Sequence, residues 1–361
     1  MLDYKDLDHS KTPKKRLRFY RRRSQQKKTS GHENGSRRRV LGIIVLLFIL
    51  LMFILTIYWG QEPDMFNVRR SAVARVELEN DNLVTGTVTT NTLIHVASTL
   101  LDKPGGYLSN DVLPPSVLMD NIPNWEFGVL VQVRDFTKIL RNDISRAQTQ
   151  SRENPDLAKA EPQFNVNSNS WIFPAAESEY RKGIQALERY LQGLAEPDNP
   201  STQFFSRADN LSDWLKIVAN RLGSLSQRLS ASVGQERINT DLAGDAEARQ
   251  STPQSSKLTI KTPWLEIDDV FYEARGTCWA LIHLFKAIEV DFKQVLQKKN
   301  AVRSLQQIIR ELEATQRTVW SPYVLNGSEF GFFPNYSLVM SSYISRANAA
   351  IIDLRGLLSQ G

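Results

Sequence analysis

The stretch ARGTCWALIHLFKAIEVDF, residues 274–292, places the only cysteine, Cys278, five residues before His283, one of four histidines. A thiol next to an imidazole is the smallest set that supports nucleophilic catalysis, with the imidazole as the base that generates the thiolate. Helical geometry argues against that use. Five residues turn a helix through ~500°, which leaves the two side chains ~140° apart. In the heptad pattern of this segment Cys278 falls on the core stripe and His283 on the face expected to meet solvent. The other histidines are His9, His32 and His95, and the first two precede the apolar run described below. Cys278 therefore reads as a small core hydrophobe.

Other chemistry is equally sparse. There is no H-E-x-x-H, no paired C-x-x-C and no Glu-x-x-His of the kind a di-iron bundle uses. Glu266, Asp269 and Glu273 share one helix face, but their register places them toward solvent, where early acidic residues match the positive helix N-terminus. KPGGY, residues 103–107, lacks the rest of a phosphate-binding loop. No catalytic residue, cofactor site or metal site is assigned. The residues left with a plausible binding role are the tryptophans at segment ends, Trp125, Trp171, Trp264 and Trp320. They read either as staples of helix termini or as an aromatic contact surface for a partner.

The elements that would position these residues are legible from hydrophobic spacing. The run VLGIIVLLFILLMFILTIYW, residues 40–59, has no charge, and as a helix it spans ~30 Å, the thickness of a bilayer core. Arg37, Arg38 and Arg39 precede it, and Tyr58 and Trp59 close it at the level aromatic rings prefer. The run is too long for a signal peptide and has no small-residue cleavage site, so a retained anchor is expected. Residues 1–39 carry 14 Lys/Arg against 4 Asp/Glu, while the rest of the chain is mildly acidic. The basicity belongs to a tail, expected to be disordered, cytoplasmic and resting on anionic lipid; nucleic acid is a poor candidate partner.

Residues 60–124 read as a connecting region with a short helix before Pro104 and a short β-hairpin near 73–90. Beyond Trp125, apolar residues recur at steps of three and four in six segments. These run over Val129–Ala147, Tyr180–Leu194, Ala208–Leu229, Ile267–Val295, Val302–Val319 and Met340–Leu358. That spacing predicts an all-α fold, an elongated antiparallel bundle of long heptad-patterned helices. Residues 150–173 read as a polar break and 233–257 as a flexible loop dividing 125–232 from 258–361. NSNSWIFPAAESEY and NGSEFGFFPNYSLV echo each other; two similar helix starts or a duplication would each account for that. Pro174 and Pro334 are expected at first helical positions, with Phe173 and Phe333 as entry staples.

The layout resembles an uncharacterised bacterial family of single-pass inner-membrane proteins, known as a domain of unknown function. The resemblance is carried by the basic tail, the single anchor, NWEFGVLVQVRDFTKILRNDISRAQTQS, FNVNSNSWIFPAAESEYRKGIQALERYL and the helical C-terminus. It implies an envelope location in a Gram-negative bacterium; the basic cluster before the apolar run then sets the expected orientation in the inner membrane, with the N-terminus cytoplasmic and the body periplasmic. The expected function is non-enzymatic: a cell-envelope scaffold or partner-binding component whose partner is another envelope protein. A ligand-sensing bundle signalling through a membrane partner is the alternative, and an envelope enzyme ranks last.

Overall fold

The computed structural model describes residues 30–79, 84–147, 152–196, 199, 201–238, 257–321 and 323–360. It is all-α, as the spacing predicts. Eleven helices follow in order: α1 (Ser30–Trp59), α2 (Val68–Glu79), α3 (Thr87–Asp102), α4 (Asn121–Ile139), α5 (Pro155–Phe164) and α6 (Ala176–Ala195), then α7 (Ala208–Ser230), α8 (Ile267–Asp291), α9 (Lys293–Lys298), α10 (Val302–Ala314) and α11 (Tyr336–Ser359). Two short antiparallel strands, β1 (Gln235–Ile238) and β2 (Lys257–Ile260), pair in a single described sheet.

Two compact units are present, Met1–Leu51 and Met52–Gly361. The first contains most of α1, whose apolar side chains from Val40 to Leu51 are almost all exposed. From Arg37 to Trp59 this helix is long and apolar enough to cross a membrane. Helical backbone begins at Ser30, so Arg37, Arg38 and Arg39 extend the helix rather than end a disordered tail. The expected disorder of residues 1–29 lies outside the described residues.

The second unit is organised around α8. Every residue from Ala274 to Phe285 is buried. A helix covered on all faces needs apolar or small side chains all round, and GTCWALIHLF supplies them. α4 lies along α8 in the same direction. Two glycines bring the backbones together: a Cβ on Gly276 would stand 2.0 Å from the Trp125 carbonyl oxygen, and one on Gly128 2.2 Å from that of Glu273. α7 runs antiparallel to α8, with the Arg228 guanidinium donating to Glu273 and Trp214 tilted against Phe285. α11 packs on α7 through Ser226, Ser341 and Ser345. The segments before and after the 233–257 stretch thus share one hydrophobic core.

Several expectations are corrected. The hairpin expected near 73–90 does not form among the described residues there: α2 runs to Glu79 and α3 begins at Thr87, with Val68 and Ala72 packed on Val88 and Ala287. The hairpin that does form joins β1 to β2, at the edges of the 233–257 stretch, most of which lies outside the described residues. The polar break at 150–173 holds α5, started by the Asn154 side chain, which accepts from the amides of Asp156 and Leu157. α8 stops at Asp291, whose carboxylate caps α3 by accepting from Thr89 N at 2.7 Å. α10 ends at Ala314, short of the predicted Val319. Pro174 and Pro334 each stand two residues before their helix, and Phe173 and Phe333 project outward instead of stapling it.

Candidate functional site

Cys278 and His283 are both buried and do not meet. Burial pushes the Cys278 thiol up to about 12, so it stays protonated and unreactive. The solvent-facing position expected for His283 is wrong, because α8 has no solvent-facing side over this length. The imidazole is engaged at both nitrogens. Nδ1 lies 2.8 Å from the Trp279 carbonyl, and Nε2 accepts the Phe66 amide at 3.1 Å, which makes Nδ1 the protonated nitrogen. Burial pushes its pKa down to about 3, helped by Lys286 and His95.

That contact with Phe66 is where a site begins to form. The Phe66 ring is stacked between two imidazoles, with centroids 3.9 Å from both His95 and His283. Four residues earlier, Glu62 receives the buried Arg275 guanidinium in two hydrogen bonds of 2.6 and 2.5 Å. Arg275 also donates to the carbonyls of Thr315 and Arg317. Trp59 closes α1 against the turn after α3, where a Cβ on Gly105 would stand 2.8 Å from Trp59 Cγ. The short segment leaving α1 is therefore fastened to the body at Trp59, Glu62 and Phe66.

KPGGY finds its use in the same place. Gly105 and Gly106 have positive φ, and the turn they make presents the amides of Leu108 and Ser109 to the Glu126 carboxylate. Lys103 Nζ completes the cradle at 2.6 Å. Both charged groups are fully buried. Burial pushes the Glu126 carboxyl upward, while Lys103 and the surrounding donors oppose that shift. The loop is an anion cradle filled by the chain's own carboxylate, which Glu126 presents from the second turn of α4.

The tryptophans separate into two groups. Trp125 is wholly buried, 5.2 Å from Trp279, so it is a core residue and not a partner contact. It lies inside the first turns of α4 on the face toward α8. Trp171, Trp264 and Trp320 lie in connections and are exposed, Trp320 by 91%. Trp320 overhangs a slot of about 190 Å³ lined by Phe271, Arg275, Val319, Val339, Met340 and Tyr343. The acidic face expected to be solvated is partly engaged: Asn124 donates to Asp269, and Glu273 takes Arg228. Among the described residues no group of three or more His, Cys, Asp or Glu is arranged to hold a metal.

Residues 32–361 match the family described as an uncharacterised protein conserved in bacteria (DUF2333). The chain belongs to this family. Neither a curated protein nor a solved structure matches it. For this DUF2333 chain the site residues named from sequence sort as follows. Tyr58 is exposed and Trp59 half-buried at the end of α1, while Arg37, Arg38 and Arg39 are exposed at the start of its apolar stretch. The junction residues Glu62, Phe66 and Arg275 were not legible as a site, since Glu62 meets Arg275 across 213 positions and Phe66 meets His283 across 217.

Proposed function

We propose that this protein is a non-enzymatic scaffold of the bacterial cell envelope, anchored in the inner membrane by residues 40–59. Its basic N-terminal tail is cytoplasmic, resting on anionic lipid, and its helical body is periplasmic, where it binds another envelope protein. The observation that carries this reading is the contrast between core and surface. The groups with intrinsic reactivity, Cys278 and His283, are sealed in the core, whereas the exposed Trp320 stands over an apolar slot beside the junction with α1. A rigid aromatic next to a preformed apolar slot is what recognition uses, since such anchors bury large area at low entropic cost. Buried Arg275 joins the slot to Glu62, so the partner surface is built on the same residues that fasten the body to its anchor.

The test is photo-crosslinking in living bacteria from a reactive amino acid placed at Trp320 or Val339 of the full-length protein. A reproducible, discrete protein adduct from both positions is expected. Adducts to lipid alone, or none above those from exposed Ile352, would rule out the partner-binding reading.

A further inference from the structure

The exposed apolar residues of the body are not scattered. α4, α6, α8 and α11 begin, and α3, α5, α7 and α10 finish, at one end of the bundle, so four connections gather there. Contacts join them directly. Asn110 donates to the Ser170 carbonyl and Asn326 to the Ser232 carbonyl, and Asp120, Leu265 and Tyr323 line one hollow. Each connection carries large apolar side chains to its tip. Leu113 and Leu118 are 70% and 80% exposed, Phe173 92%, Leu265 75% and Phe332 96%. Trp171, Trp264 and Phe330 lie beside them. The connections at the opposite end, around 84–86, 145–154, 196–207 and 292–301, expose no large apolar side chain among the described residues.

The end that carries these tips is also where the apolar helix enters the body. Trp59 packs on the turn at Gly105, a Cβ on Gly60 would stand 3.8 Å from Met119 Cε, and Glu62 is paired with Arg275. A tryptophan ending an apolar span sits at headgroup depth, so groups packed against Trp59 share that depth. Large apolar side chains gathered at one end of a body need an occupant. Here continuity with the anchor supplies one.

We propose that this end of the body is seated in the bilayer interface, with the tips at Leu113–Leu118, Trp171–Phe173, Trp264–Leu265 and Phe330–Phe333 inserted among the phospholipid headgroups. The proposal rests on the anchored reading above, and it assigns these tips to lipid while leaving the Trp320 slot to a protein. Seating is apolar and not electrostatic. Asp120 and Asp268 line one hollow with Trp264 and Leu265, so zwitterionic phospholipid suffices and anionic lipid is not required.

The inert Cys278 makes a direct test practical, because single added cysteines take a nitroxide label while the native thiol is retained. The labels go at Leu113, Phe173, Leu265 and Phe332, with Ile352 as a control on α11. Full-length protein is reconstituted into phosphatidylcholine vesicles, and collision rates with oxygen and with a water-soluble nickel chelate are read by power saturation. Oxygen collisions several-fold above chelate collisions are expected at the four tips, with the reverse at Ile352. Chelate-dominated tips in protein that resists alkaline extraction would overturn the seating and leave the anchor standing. Protein released by alkaline extraction would overturn both. Tips shielded from both reagents in native membranes but open to the chelate in pure lipid would show a protein cap, which also overturns the proposal.

Discussion

Glu126 and Lys103 carry the highest stakes of any two residues in the body. Both are fully buried, and the carboxylate accepts from Leu108, Ser109 and the ammonium. Removing one partner of such a pair leaves a buried charge uncompensated, at a cost of about 3–5 kcal/mol. Glu126→Gln should therefore lower stability by that amount in urea unfolding of the detergent-solubilised protein. Lys103→Met should do the same, and the double variant should lose less than the sum. Additive losses would mean the pair is not coupled. His283 gives a second test, this time against pH. Its folded pKa lies near 3, below the unfolded value of 6.5, so the unfolded chain binds the extra proton between those limits. Stability is fully present above pH 6.5 and falls as pH drops toward 3, by about 1.4 kcal/mol per pH unit at the steepest. His283→Gln should be weaker than wild type at pH 7.5, losing the stack on Phe66, yet should lose less on moving to pH 4.5. Parallel losses would remove His283 from the acid response. The sequence could not have placed either pair, because sequence spacing is silent about partners such as Phe66 and His283 that meet only through the tertiary fold.

At the scale of elements, the contact between α4 and α8 decides the core. Its closeness depends on Gly128 and Gly276, each opposed by a backbone carbonyl of the other helix. Backbone cannot move aside as a flexible side chain does, so Gly276→Ala must push the helices apart and disturb the packing of Trp125 on Trp279. A loss of about 2 kcal/mol or more is expected in thermal or urea unfolding, whereas Gly356→Ala, with open space around it, should be near neutral. The long helices were legible because their stripes of Leu, Ile and Val repeat over several turns. α2 and α5 were not, being short and polar, and held by tertiary contact more than by pattern. The same pattern misled for α8. A three-and-four stride is visible from Ile267 to Val295, but between Ala274 and Phe285 its intervening positions are buried too, and a stride shows only the best-covered face. That is why His283 was expected in water.

For the whole molecule, the fastening of α1 to the body is the feature with mechanical meaning. Glu62, Phe66 and Trp59 hold the connecting residues down at three points. Limited proteolysis of membranes should leave wild-type residues 60–67 uncut. Combining Glu62→Gln with Phe66→Ala should raise cleavage there by about tenfold for each 1.4 kcal/mol of local stability lost. Equal cleavage of both proteins would mean the fastening adds nothing. Hydrophobic spacing made the long apolar helix and the helical class legible, and three of the four tryptophans singled out by position, Trp171, Trp264 and Trp320, are exposed. It did not reveal that the exposed tips share one end, because that depends on which helices run in the same direction.

The three-point fastening also sets how load passes through the protein. A flexible tether absorbs a pull by straightening before any tension reaches the membrane. This connection has no slack to give up. If a partner binds the body as proposed, its pull would pass through the Glu62–Arg275 pair and the Phe66 stack into the last turn of α1. Arg275 is buried and Glu62 is the side of that pair still reached by water, so the Glu62–Arg275 contact, and not the helix bundle, is expected to part first under force.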